Sequence, residues 1–256
     1  MESPYFIFDG IKSSDMGLYI IELEPGRSLT PYWGSQSVIE RNSRRKITTN
    51  LIGINRYPIE FNVKFSLLKN QWTTQKRNEI ARWLLHDTYK EFQTCDDLGK
   101  YFYAICNSSS DLNLIHNRGY FELTFRTNSQ FAWSPIYISE FDLSDNVSTK
   151  IIEVENKSNV VKYFYPKLQF SLKNNTTNFS IRNLSNGGKV FSFENLNPNE
   201  TVGVDNEEKI VLSDNPMSNP FSKFNRNWLA LVQGVNYLEI TGQCDLKFKQ
   251  RFPIAQ

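Results

Sequence analysis

Alanine is nearly missing from this 256-residue chain, standing only at positions 81, 104, 132, 230 and 255. With Phe, Tyr, Ile, Val and Thr abundant, that scarcity favours strands over helices and predicts a mainly β fold. Glycine and proline are also few, at 12 and 10, which excludes collagen-like repeats and global disorder. No run approaches 18 apolar residues, and Met1-Glu2-Ser3-Pro4-Tyr5 is not a basic stretch leading into an apolar one. A soluble protein made without a signal peptide, and with no membrane insertion, is expected. Charge of one sign is lacking too: 29 Lys+Arg against 27 Asp+Glu give a formal +2, no electrostatic case for a nucleic-acid binder. Three cysteines, Cys95, Cys106 and Cys244, cannot all pair, and free thiols are expected. The tempting pair flanks a predicted turn at Asp96-Asp97-Leu98-Gly99. If a four-residue loop spans those positions, Cys95 faces Lys100 and Cys106 is left several rungs away, beyond disulfide reach.

Chemistry-bearing patterns are equally thin. Only two histidines, His86 and His116, occur, and no CxxC, HExxH, EF-hand loop, P-loop, GxGxxG or GxSxG is present. Neither a metal nor a cofactor is expected, and the chain reads as no enzyme. Glu22 with Glu24 and Glu153 with Glu155 each share a strand face, but such spacing is the ordinary solvated side of a strand rather than a glycosidase pair. Arg41-Asn42-Ser43-Arg44-Arg45-Lys46 is a basic cluster between strands. Without interleaved aromatics it suits a hairpin tip or a subunit contact better than a phosphate site.

Alternation marks half-buried strands at Gly17–Leu23, Ile59–Leu67 and Tyr120–Phe125. One segment departs from it: Ile80, Trp83, Leu84 and Asp87 fall at helical spacing, predicting a single long helix over about 74–89. Thr73 or Thr74 would cap it and Trp72 would act as a preceding staple. Its apolar face needs a sheet to lie on. A hairpin is predicted over about 91–106, and Tyr101-Phe102-Tyr103 put large rings on both of its faces. Leaving one such ring exposed forgoes roughly 1.5–3 kcal/mol. The second face therefore asks for cover from this domain or another subunit, making Phe92, Tyr101, Phe102 and Tyr103 candidate interface residues.

Polar residues 126–130 and Trp133-Ser134-Pro135 suggest a boundary, dividing the chain into 1–133 and 134–256. Beyond Asp145, short strands recur between Asn-rich turns, including Asn186-Gly187-Gly188, Asn197-Pro198-Asn199 and Gly234-Val235-Asn236, the pattern of a β-sandwich. Tyr163, Phe164, Tyr165 and Trp228 could stack on sugar, which keeps a carbohydrate-binding module as the alternative. The apolar run Trp228-Leu229-Ala230-Leu231-Val232 is better explained by burial.

Phe6-Ile7-Phe8-Asp9-Gly10, Ser13-Ser14 and Gly17-Leu18, then Arg77 to Leu84, Phe92, Asp96-Asp97 and Tyr101 to Ala104, form an ordered set. That set resembles the distal tail proteins of long, non-contractile-tailed bacteriophages. A looser likeness runs through Pro166, Asn183, Phe191, Glu200 to Asp205 and Gly234 to Gly242. The resemblance implies an N-terminal β-sandwich with one helix and a protruding belt hairpin, placed at 91–106, followed by a galectin-like sandwich. It further implies a structural virion protein of the tail tip, made in the host bacterial cytoplasm and assembled as a hexameric ring. Its implied partners are the tail-tube protein, a tail-hub or tail-fibre protein and a receptor-binding protein. At 256 residues there is no room for the inserted sugar-binding modules of larger relatives.

Overall fold

A computed structural model describes residues 4–21, 34–42, 47–68, 73–109, 113–115, 118–160 and 163–255. It is mainly β. The chain divides between Ser134 and Pro135 into two compact units, Ala255 counting with the first.

The first unit contains β1 (Phe6–Phe8), β2 (Ile11–Lys12), β3 (Tyr19–Ile20), β4 (Gln36–Arg41), β5 (Asn50–Arg56), β6 (Glu60–Leu68), α1 (Thr74–Leu84), β7 (Lys90–Thr94), β8 (Asp97–Ser109), β9 (Asn113–Ile115), β10 (Arg118–Thr127) and β11 (Ala132–Trp133). An antiparallel sheet runs β2-β1-β7-β8-β10-β6-β3. It begins where the sequence motif does: β1 and β2 join through Asp9-Gly10, both at positive φ (50° and 78°), the two-residue turn that Asp-Gly favours. Buried Ser13 accepts from the Phe6 N–H through its hydroxyl and donates its own N–H to the Phe6 carbonyl.

In a flat sheet β1 and β6 would lie four strand spacings, about 19 Å, apart. Yet the rings of Phe6 and Phe65 are 5.4 Å apart, and Phe6 also meets Phe92 and Phe125 at 5.2 and 5.6 Å. The sheet therefore curls around these rings. The helix closes the core with Ile80, Trp83 and Leu84, one face at i, i+3, i+4. Trp83 stacks on Phe6 at 5.6 Å and donates its indole N–H to the Phe8 carbonyl at 2.9 Å.

Thr73 is the N-cap, accepting from the Lys76 N–H at 3.1 Å. The helix stops at Leu84, short of the expected end near 89. Leu85 makes the last bond, to Ala81, and is already extended. Asp87 and Thr88, weak helix formers, then lead into β7, whose pairing with β1 requires extended chain. Trp72 lies outside the described residues.

The second unit is a sandwich built from β12 (Tyr137–Leu143), β13 (Thr149–Asn156), β14 (Lys167–Leu172), β15 (Phe179–Asn183), β16 (Lys189–Phe193), β17 (Thr201–Asp205), β18 (Ile210–Ser213), β19 (Gly234–Thr241) and β20 (Cys244–Gln250). One sheet runs β12-β20-β14-β17-β18 and the other β13-β19-β15-β16, all pairs antiparallel. Their facing rings interdigitate; Phe170 and Phe179 stack at 4.0 Å across the two sheets. One expectation changes here. Gly234-Val235-Asn236 opens β19 rather than making a turn, because Gly234 pairs with Asn156.

Several asparagines that read as turn residues are buried staples. Asn236 accepts from the Val232 N–H (2.9 Å) and from Asn183 (3.1 Å), and donates to the Val232 and Gly234 carbonyls (2.8 and 3.0 Å). Asn206 accepts from the Leu229 N–H and donates to the Pro166 carbonyl. These bonds satisfy the Leu229 N–H and both backbone groups of Val232 in the irregular segment 227–233, from which Leu229 and Leu231 enter the core.

Candidate functional site

The feature that the intrachain core leaves unexplained is the β4–β5 hairpin. It is a two-stranded sheet of its own, pairing from Gln36↔Arg56 through Val38↔Ile54 and Ile39↔Gly53 to Arg41↔Asn50. A register shift after Ile39 leaves Ile52 as the extra residue of a bulge. The register places Val38, Leu51 and Ile54 on one face and Ile39 on the other, with Ile52 at the bulge between them. Both faces are open: Val38 is 53% and Leu51 63% exposed on the first, and Ile39 40% on the second. At the base Tyr57 donates its N–H to the Ser35 carbonyl at 2.9 Å. Gly34 sits so close to the Tyr57 carbonyl that a Cβ there would overlap it. An isolated two-stranded ribbon is marginal in water. One with apolar side chains on both faces is suited to being covered, and each large side chain buried would release roughly 1.5–3 kcal/mol. The ends carry Arg41 and Arg56, both exposed; positions 43–46 of the basic cluster lie outside the described residues.

The hairpin expected to protrude, 91–106, does not. β7 and β8 are inner strands of the curled sheet, flanked by β1 and β10. Phe92 and Phe102, directly paired, are each 1% exposed within the chain's own core, so neither is available to a neighbour. Tyr101 and Tyr103, on the opposite face, are half-buried. Trp133 covers them from the same unit, paired with Tyr101 and lying 6.5 Å from the Tyr103 ring. One face of the aromatic pattern, that of Phe92 and Phe102, is covered by the chain's own core, and the other, that of Tyr101 and Tyr103, is covered in part. The β4–β5 ribbon shows in the sequence as apolar residues on both sides of the basic cluster.

The remaining candidates are dispersed. His86 packs on the Phe8 ring, its Nε2 3.8 Å from Asp9, and His116 lies outside the described residues. Glu153 and Glu155 share an exposed strand face, with Glu155 3.8 Å from Lys157; Glu22 and Glu24 lie outside the described residues. Among the described residues no three His, Cys, Asp or Glu side chains converge. Tyr163 and Tyr165 are exposed, whereas Trp228 lies edge-on to Phe224 at 4.8 Å, packed on the core. The three cysteines are free thiols, and burial, helped by neighbouring Asp245, pushes that of Cys244 up to about 12.

Comparison with known proteins gives this surface its context. Residues 1–129 match a phage tail protein N-terminal domain and residues 131–250 a phage tail C-terminal domain. The SPbeta prophage-derived protein YomH of Bacillus subtilis strain 168 is 25% identical over 254 residues, with 98% of each chain covered. Among solved structures, the crystal structure of SPP1 Dit, described as a paradigm of the hub adsorption apparatus in phages infecting Gram-positive bacteria, is similar in fold. Its TM-score is 0.74 at 14% identity, covering 98% of this chain and 100% of that one. A chain of the phage P2 baseplate in its activated conformation with calcium gives a TM-score of 0.51 at 8% identity, with 98% of each covered. With the two domain matches running through nearly the whole chain, it belongs to this family of phage tail proteins and has the distal tail protein fold.

Proposed function

We propose that the protein is a structural, non-catalytic component of the distal tail of a long, non-contractile-tailed bacteriophage. It forms a ring, six copies being the stoichiometry that the resemblance implies, between the tail tube and the tail tip. The β4–β5 hairpin is the arm that closes the ring, laid on the neighbouring copy. The observation carrying this reading is that ribbon itself, with five large aliphatic side chains exposed over two faces and no second sheet layer among the described residues. A curled first unit with a finished core can present such an arm without cost to its own fold. The second unit, facing away from the tube, holds a tail-hub, tail-fibre or receptor-binding protein. Antibodies against residues 135–254, applied with gold label to intact virions, test the placement. Label confined to the tail tip is the expected result; label on the head, or along the tube, contradicts it.

A further inference from the structure

The sandwich of the second unit has four edge strands, and they are not equivalent. The outer edge of β16 is occupied: Glu194 donates to the Lys223 carbonyl, Asn225 donates its N–H to the Ser192 carbonyl, and its side chain donates to that of Val190, at 2.8–3.0 Å. β18 is only four residues long. β12 borders a face completed by cross-strand pairs, Lys247–Glu140, Lys167–Asp205 and Lys173–Asp245, at 2.6–2.7 Å, the texture of a solvated surface.

β13 differs in each respect. It is eight residues long, runs against β19 from Thr149↔Thr241 to Asn156↔Gly234 without a bulge, and contains no proline. Its other backbone edge faces no strand of the described residues. Natural edge strands are usually blunted by bulges, prolines or covering loops, and a long flat one is a template for another strand. The outer face beside it carries exposed Ile151, Val235 and Tyr237, and its ion pairs, Glu155–Lys157 and Arg182–Glu239, are looser, at 3.8 and 3.7 Å.

We propose that this edge takes up an extended segment of a partner protein by strand addition. The chemistry of that segment follows from its neighbours. Side chains entering on the inner face would lie beside Ile152 and Val154, which are buried, and must be apolar. Those on the outer face would lie beside Ile151, Glu153 and Glu155, which calls for lysine or arginine opposite the two carboxylates. The partner segment therefore alternates apolar with basic residues. The identity of the partner as a tail-tip protein rests on the reading above; the edge and its preference do not.

Hydrogen exchange read by mass spectrometry on the full chain decides it, with an eight-residue peptide alternating valine and lysine and its valine–glutamate counterpart as probes. The lysine peptide should slow exchange in 149–156 at least tenfold and the glutamate peptide should not. In the folded variant E153K/E155K the preference should reverse. In intact virion tails the same amides should be slowed relative to the isolated protein. Equal protection by both peptides, no protection by either, or β13 amides equally open in tails and in isolation overturns the proposal. So does protection that grows with protein concentration alone, which would make the occupant another copy of this chain. Absence of the protein from the tail would defeat the tail-tip reading and leave the peptide result standing.

Discussion

At the scale of single residues, this chain folds by unusual attention to asparagine. Asn236 occupies all of its amide's capacity in one place, bonding both backbone groups of Val232. Asn236→Ala should cost about 2–3 kcal/mol, because it strands buried backbone donors and acceptors as well as losing bonds; urea unfolding monitored by tryptophan fluorescence would show it. Glu200 is buried, and burial alone would raise its pKa. Bonds from the Ser213 hydroxyl and the Asn197 N–H outweigh that and hold it below the usual carboxylate value. Its contribution to stability is therefore present above the unfolded pKa and lost as pH falls through the lower folded value. Glu200→Gln should flatten that acid limb of the stability profile, measurable as midpoint against pH between about 5 and 2. None of this was legible in the sequence. A turn asparagine and a buried one have the same neighbours along the chain, and only the return of segment 227–233 across the sheets separates them.

At the scale of elements, periodicity spoke clearly wherever one face was buried. β6, β10, β14 and β20 alternate in sequence as they do in the sheet, and the Ile80-Trp83-Leu84 stripe marked the helix and its covered side. The β4–β5 ribbon is apolar on both sides and does not alternate, so periodicity did not mark it. Conversely, Tyr101-Phe102-Tyr103 resembles an arm in sequence although β8 is an inner strand, with Trp133 beside Tyr101 and Tyr103 on its second face. A strand covered on both sides by its own unit and one awaiting a neighbour look alike in sequence, and only the sheet order tells them apart. The exchange of roles makes a separable prediction. Leu51→Ser with Ile54→Ser should leave the unfolding midpoint within about 1 kcal/mol of wild type, since both side chains are already exposed. Phe102→Ser should lose several kcal/mol. Circular dichroism during chemical denaturation distinguishes the two.

At the scale of the whole molecule, two units of different texture share one chain. The first ends its own packing with an uncovered ribbon; the second is a closed sandwich whose surfaces differ from sheet to sheet. The family and the fold came through the order of several short motifs rather than any one of them. Phe6 to Gly10 proved to be the strand and turn from which the sheet curls, and Arg77 to Leu84 the helix that caps it. The central claim is assembly through the β4–β5 arm, and mass photometry of the purified full chain, alone and with its tail-tube and tail-hub proteins, tests it most directly. A ring of six copies that forms for the wild type and is lost in the L51S/I54S variant, with folding retained, is the result expected; a monomer throughout, or rings indifferent to those substitutions, would contradict it.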